Sequence, residues 1–404
     1  MDVQKIRADF PILQKRKDVI YLDNAATSLK PKPVLEAMDS YYSNMTANIG
    51  RGSHRMSQEA SRTFEDSRRE VAKFIGAHDN ELIFTRNATE GINTAAFSLD
   101  RMGHFSEGDE IVVSIMEHHA NFIPWQQLCL AKGLRFKIVA LNDDYTLNMD
   151  DLASKVSKRT KMVAICHGAN TVGTITPAKE IGQIAHDSGA LFLLDGAQSV
   201  PHMPLDVKKI NCDFLAFSAH KMLGPTGIGA LYGKAELLAK MPPYNYGGGM
   251  IQSVGADRTT FAGPPQRFEA GTMPIAEAFG FAQSVRYLKR IGMQDVAEHE
   301  KKLTERCIRK LEEIGGIELY CPKNADKQGG IVLFEAKGID AVDFALALDE
   351  SRGIAIRSGL HCAEPMVSSI NPKGLDRASF YVYNTAEEVD ILCEQASKIA
   401  RAFA

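Results

Sequence analysis

The sequence predicts an α/β fold, a mostly parallel sheet flanked by helices, followed by a smaller α+β domain. Three observations carry this reading. Short apolar runs alternate with helical patterns from about Leu82 to Tyr232. Runs such as Leu191–Asp195 (LFLLD) are apolar almost throughout, as strands buried on both faces are. From Tyr244 to Pro265 the chain loosens into Gly, Pro and polar residues before helical patterns resume.

In chain order, residues 57–75 read as a helix, with Ala60, Phe64, Val71 and Phe74 inward and Arg62, Glu65, Arg68 and Arg69 on other faces. Candidate strands follow at 82–85, 111–115, 162–166, 191–195, 214–217 and 228–232. Residues 177–188 read as a helix with Thr176 as N-cap and Pro177 in the first helical position. Strand, helix and strand in that order make a βαβ crossover, hence a largely parallel sheet. Residues 244–265 are expected to be connecting loops. Helices are then expected at 275–291, 296–314, 342–350 and 386–402, and strands at 330–334, 355–357 and 378–383. The expected large domain is 17–260, and 1–16 with 261–404 make the small one.

With 47 basic and 50 acidic residues, the formal charge of −3 gives no electrostatic reason to expect nucleic acid or an acidic membrane as partner. The start, MDVQKIRADFPIL, lacks a signal-peptide apolar core, and no run approaches the roughly 18 apolar residues of a membrane span. A soluble cytoplasmic protein is expected. The seven cysteines are odd in number and form no CxxC pair, which argues against a disulfide framework or a structural zinc site. Six are expected to behave as small buried hydrophobes, with Cys362 set apart.

Ligands of open parallel sheets collect outside the carboxyl ends of the strands. His118 and His119 follow one strand, Asn170 another; Asp195 ends its own, with Gln198 three residues on; Ser218, His220 and Lys221 follow a fourth. A lysine holds an aldehyde covalently once its amine has lost its proton. A carboxylate beside a pyridine nitrogen keeps that ring able to accept electrons. Lys221, in S-A-H-K-M-L-G-P-T-G-I-G, and Asp195 fit these two tasks if their strands lie close. Taken singly they are blander: a strand-end Asp is commonly a turn former and a lone Lys a solvated charge. Asn87-Ala88-Thr89-Glu90-Gly91 sits between a strand and a helical stretch, where N–H groups and the Thr89 hydroxyl make an anion site; simple N-capping by Thr89 is the alternative, and both are compatible.

Y-L-D-N-A-A-T, M-E-H-H-A-N-F-I-P-W, N-T-V-G-T, D-G-A-Q, S-A-H-K-M-L-G-P-T-G-I-G, R-F-E-A-G-T and R-S-G-L-H-C-A-E-P run almost end to end through the chain. With them the sequence resembles the Suf-type (group II) cysteine desulfurases, in the class V aminotransferase branch of fold-type-I pyridoxal phosphate enzymes. The resemblance implies a seven-stranded sheet and a homodimer. It implies Lys221 as the Schiff-base lysine, Asp195 on the pyridine nitrogen, His119 stacked on the ring and moving the substrate thiol proton, and Asn170 and Gln198 at the phenolic oxygen. It implies Thr89, Ser218 and His220 around the phosphate, joined by Thr272 of a second subunit. Arg377 is expected to clamp the carboxylate of L-cysteine with Asn24 nearby. Cys362 is expected to take the substrate sulfur as a persulfide, releasing alanine, with Arg357 and His361 favouring its thiolate. The short 357–362 loop implies an enclosed cysteine served by a dedicated sulfur-acceptor protein, and iron–sulfur cluster assembly as the use of the sulfur.

The chain departs from the family pattern at Gly50 (usually His), Ala88 (usually a hydroxyl residue), Met250 (commonly acidic) and Met273-Pro274 (usually Pro-Asn). These bear on pocket detail and partner contacts. Selenocysteine lyase, a catalytically silent sulfur-carrier or scaffold subunit, and a plain aminotransferase stay open as alternatives at this point.

Overall fold

The structure is a computed structural model and describes residues 1–403. Seven strands form the central sheet: β1 Leu82–Thr85, β2 Glu110–Ser114, β3 Arg135–Val139, β4 Thr160–Cys166, β5 Leu191–Asp195, β6 Phe214–Ser218 and β7 Gly229–Gly233. Their spatial order is β1-β7-β6-β5-β4-β2-β3. β7 runs antiparallel to both neighbours, and the remaining pairs are parallel. β3 has no counterpart in the sequence reading. It is an edge strand whose residues are mostly half-exposed, so RFKIV never forms an apolar run.

Gly229 has a specific reason to lack a side chain. A Cβ there would stand 2.6 Å from the Phe217 carbonyl oxygen and 2.7 Å from Asn87 Cα. That close approach seats the Asn87 turn against the end of β6.

Helix boundaries depart from expectation where capping is concerned. The crossover helix is Ala178–Ser188, with Pro177 at the cap position and no side-chain cap. Thr176 is not its N-cap; its hydroxyl donates to the Cys166 carbonyl at 2.8 Å. The helix after β1 is Ala88–Arg101, capped by Asn87, whose side chain accepts from the Glu90 N–H at 3.0 Å; Thr89 lies inside the first turn. The helix expected at 57–75 is Arg55–Phe74, opened by His54. Residues 244–265 are not all loop, since Ile251–Val254 and Thr259–Phe261 pair as a hairpin.

A second sheet is antiparallel throughout, with strands β8 Ile317–Leu319, β9 Ile331–Ala336, β10 Arg357–Gly359 and β11 Leu375–Ser379 in the order β8-β9-β11-β10. The strand expected at 355–357 divides: Ile354–Ala355 pairs with Ile20–Tyr21, and β10 begins at Arg357. The strand expected at 378–383 lies earlier, at β11. Phe380–Tyr383 are apolar because they are buried in the core beyond its end, so burial mimicked a strand. An isolated bridge from Asp23 to Ser379 carries the early chain to β11. Six cysteines are buried and Cys362 is half-buried.

β11 alternates its side chains across the sheet, so Arg377 and Asp376 face opposite sides. Asp376 is buried, and its Oδ1 has no partner among the described residues. Burial, with Asp340 and Glu335 nearby, pushes its carboxyl from 3.8 up to about 9. The unfolded chain releases this proton near the ordinary carboxylate value and the folded chain keeps it. Stability therefore falls as pH rises between those two values, and levels off above the folded one. Asp376→Asn removes that dependence. Thermal denaturation is expected to give a Tm gain for Asp376→Asn that is small at pH 4, grows to several degrees by pH 8, and stops growing above about pH 9.

Candidate active site

A cavity of about 230 Å³ opens at the carboxyl ends of β4, β5 and β6. Lys221, Asp195, Asn170, Gln198, Ser218, His220, Thr89, Arg357 and Arg377 all line it, so most of the sequence-predicted residues meet at one place. Parallel pairing explains why. Cys166 is in register with Asp195, and Asp195 with Ala216, so β4 and β5 end level with one another and β6 runs two residues further, to Ser218, at the same edge.

Lys221 ends a single turn, Ala219–Lys221, directly after β6. Burial pushes its amine down to about 8; Asp195 opposes the shift, and Arg377 and Arg357 reinforce it. Asp195 accepts a hydrogen bond from the Ala197 N–H at 2.9 Å. Burial raises its carboxyl, while that bond and the Lys221 charge hold it down. At the other end of the cavity, Ser218 Oγ accepts from the Ala88 N–H at 2.8 Å, which docks the start of helix Ala88–Arg101. That 14-residue helix directs its positive end, with Thr89 in its first turn, at the cavity. Burial holds the His220 ring down to about 4, so it is neutral.

Asn170 and Gln198 line the cavity with their amide nitrogens each anchored by one hydrogen bond. Asn170 Nδ2 donates to the His361 carbonyl at 2.8 Å, and Gln198 Nε2 to the Ala25 carbonyl at 2.7 Å. Their oxygens are buried without partners among the described residues. Unpaired buried oxygens of this kind call for a polar guest.

The histidine in the cavity wall is His118, which corrects the expectation for His119. His118 is the N-cap of helix His119–Lys132, in extended backbone, and His119 is the first residue inside the helix. The chain turns between them and their rings diverge, with planes 51° apart. His118 Nδ1 accepts from the Ala120 N–H at 3.0 Å, which leaves the proton of the neutral ring on Nε2. Burial and the Lys221 charge push this imidazole down to about 3. His119 instead fastens the cysteine loop: its N–H donates to the Cys362 carbonyl at 2.7 Å, and its Nε2 accepts from the Glu364 N–H at 3.1 Å. The signal available in the sequence was the cap position itself, since the residue ending a strand-to-helix turn faces the crevice. Glu117 was missed altogether. It is fully buried, accepts from Ser114 Oγ at 2.5 Å, Asn121 Nδ2 at 2.7 Å and the Cys166 N–H at 3.0 Å, and burial raises its carboxyl to about 7.

Arg377 and Arg357 stand opposite one another on β11 and β10. Arg377 is fully buried; its Nη1 donates to the Asn170 carbonyl at 2.8 Å and its Nη2 to Asp23 Oδ1 at 2.9 Å. Its Nε has no partner among the described residues. Arg357 Nη2 donates to Cys362 Sγ at 3.4 Å. His361 and Cys362 both occupy the left-handed region, with φ of 52° and 56°. Such backbone costs about 1–3 kcal/mol per non-glycine residue and concentrates at functional loops. His361 does not add positive charge beside the sulfur. Burial and the Arg377 charge push its ring down to about 3, and it is turned away, with Nε2 donating to the Leu375 carbonyl at 2.8 Å.

His119, His361 and Cys362 do not line the cavity, and neither do Asn24 and Thr272. Asn24 is fully buried, and its Nδ2 donates to the Ser379 carbonyl at 2.6 Å and to Asn384 Oδ1 at 3.0 Å, while its Oδ1 accepts from the Tyr383 hydroxyl. Both amide hydrogens are spent, so it has none for a substrate carboxylate. Thr272 lines a second cavity, of about 450 Å³, together with Gly50 and Arg51.

The family model for class-V aminotransferases matches residues 20–392, and the chain belongs to that family. Among curated relatives, a cysteine desulfurase of Haloferax volcanii is 43% identical, with 100% of this chain and 98% of the relative covered. A probable cysteine desulfurase of Staphylococcus epidermidis is 45% identical, covering 100% of this chain and 97% of the relative. Of solved structures, the apo cysteine desulfurase of Thermococcus onnurineus NA1 superposes with a TM-score of 0.94 at 42% identity, covering 99% of this chain and 98% of that one. The Escherichia coli cysteine desulfurase CsdA, in an S-sulfonic acid form, gives 0.92 at 33% identity over 100% of both chains. These neighbours share the α/β architecture described above.

The two arginine-side residues separate cleanly by experiment. Asn24→Ala is expected to lower stability by about 1–3 kcal/mol, because it strands the Tyr383 hydroxyl and the Ser379 carbonyl, and to leave KM for an amino-acid substrate within twofold. Arg377→Lys is expected to raise that KM by tenfold or more, since a point charge replaces a planar fork. Thermal denaturation beside steady-state kinetics checks both.

Proposed function

We propose that the chain is a pyridoxal phosphate-dependent cysteine desulfurase that converts L-cysteine to L-alanine and retains the sulfur as a persulfide on Cys362. The single observation that carries this reading is the convergence of Lys221, Asp195, Arg377 and Arg357 on one cavity, with the Cys362 sulfur hydrogen-bonded to Arg357. The cysteine desulfurase names of relatives 43–45% identical over the full chain support it.

The donor set fits the cofactor. A phosphate is matched by the helix start at Ala88, Thr89, Ser218 and neutral His220, a pyridine nitrogen by Asp195, and an aldehyde by an amine already lowered to about 8. Asn170 and Gln198 are the polar groups left for the ring's phenolic edge. When bound, the cofactor supplies an electron sink beside the substrate α-carbon.

The chain's own residues do the rest. Arg377 binds the substrate carboxylate through the guanidinium edge that carries its free Nε. His118, neutral, protonated on Nε2 and in the cavity wall, would flank the cofactor ring and serve the protons of the substrate thiol. Cys362 attacks the substrate sulfur; the new S–S bond forms as the C–S bond breaks, and Lys221 returns a proton to the carbon skeleton released as alanine. Arg357 donates to the waiting sulfur at 3.4 Å. Thr272, Gly50 and Arg51, outside this cavity, are the surface where a second copy completes the phosphate end. A protein acceptor then collects the sulfur for iron–sulfur cluster assembly, as in the Suf-type branch.

Alanine and sulfide released from L-cysteine under reductant test the reading. Cys362→Ser is expected to lower both by at least about 100-fold while the visible band of the bound cofactor persists. Lys221→Ala is expected to lose that band. Full turnover by Cys362→Ser would sink the persulfide route, and turnover of selenocysteine alone would make the enzyme a selenocysteine lyase.

A further inference from the structure

Lys30 presents a problem that the reaction above leaves unsolved. Its side chain is largely enclosed, and among the described residues no carboxylate pairs with its ammonium. Burial pushes it down to about 8. A half-buried ammonium with no carboxylate beside it is costly, and it is retained only where something compensates. Its hydrogens go to oxygens: the His220 carbonyl at 2.9 Å, the Ser28 carbonyl, and Thr27 Oγ1 at 3.4 Å.

The His220 carbonyl is the informative partner. It already accepts from the Ser28 N–H at 3.0 Å, Thr27 Oγ1 at 3.0 Å and Ser28 Oγ at 3.1 Å. A carbonyl oxygen has two lone pairs, so these donors satisfy it before Lys30 arrives. Satisfying that oxygen is therefore no reason to bury a lysine. The peptide it belongs to joins His220 to Lys221. On the far side of the turn, Ser28 Oγ accepts from the Leu223 N–H at 2.8 Å, and Leu223 is itself left-handed, with φ of 65°. The short stretch from Thr27 to Lys30 thus grips the Lys221 turn at both ends. It directly follows Ala25 and Ala26, which line the cavity, whereas Lys30 does not.

We propose that Lys30 is a positioning residue for Lys221: its ammonium locks the His220–Lys221 peptide plane, and so the direction in which the Lys221 amine enters the cavity. Lys30 touches neither substrate nor cofactor. The inference rests on the reading of Lys221 as the cofactor-holding lysine.

The test uses the full-length protein, stripped of cofactor and reconstituted with pyridoxal phosphate, with the rise of the visible band of the lysine-linked cofactor followed in time. Lys30→Met removes charge and donors at nearly constant length. The expected result is a rate of band formation lower by between about 10- and 100-fold, as for a misplaced reacting group, with kcat lowered in parallel and KM for L-cysteine within twofold. Because a half-buried charge with no carboxylate partner has been removed, Tm is expected to hold or rise. Thr27→Val, which removes a second donor to the same oxygen, is expected to slow the band by a smaller factor. Its effect should not multiply with that of Lys30→Met, since both act through one carbonyl. An unchanged rate in Lys30→Met would overturn the proposal, and so would a slower rate accompanied by a matching fall in Tm. If Lys30→Met does not fold, Thr27→Val decides alone, and an unchanged rate there overturns it. Lys221→Ala separates the two readings: a band that forms in that variant defeats the assignment of Lys221 itself, whatever Lys30 does.

Discussion

The parallel register of β4, β5 and β6 is the constraint on which the site depends. Cys166 lies beside Asp195 and Asp195 beside Ala216, so β4 and β5 end level and β6 reaches two residues further, to Ser218, at the same edge of the sheet. Everything that follows a strand end then emerges into the same crevice: Asn170 after β4, Gln198 after β5, and the Lys221 turn after β6. A parallel sheet must be covered on both faces, and its helices start at this end, which gives the crevice a positive rim without any added lysine. Glu117 reinforces the arrangement from beneath, tying the end of β2 and the start of helix His119–Lys132 to the Cys166 N–H.

The second sheet supplies the opposite wall by a different rule. Antiparallel pairing sets Arg357 directly across from Arg377, and two guanidiniums side by side repel. The fold offsets this with Asp23, brought in by the early chain, which pairs with Arg377. The same alternation that points Arg377 at the cavity sends Asp376 into the core as a neutral acid. The left-handed pair His361 and Cys362 follows β10 beside Arg357, its carbonyls held by Asn170 and His119, which follow the large sheet's strands.

The large sheet was legible because buried parallel strands are uninterrupted apolar runs, and Leu82–Thr85 and Leu191–Asp195 lie where the pattern put them. β3 was not, because an exposed edge strand carries mixed residues. Phe380–Tyr383 misled in the other direction, being apolar for burial alone. The residues at strand ends were likewise legible, since topology fixes where a strand end goes. Which of two adjacent histidines faces inward depends on the first dihedral angles of a helix, and composition does not carry that. His361 and Asn24 were misread for a related reason: proximity in sequence to a reacting group says nothing about whether a side chain is already spent on Leu375, Ser379 and Asn384.

Sulfur transfer to Cys362 can be read by mass spectrometry of the cofactor-loaded protein after brief exposure to L-cysteine without reductant, followed by peptide mapping. The expected result is a gain of one sulfur atom, confined to the peptide that contains Cys362 and removed by a thiol reductant. Alanine formation with no added sulfur on Cys362, or with the sulfur on another cysteine, would contradict it.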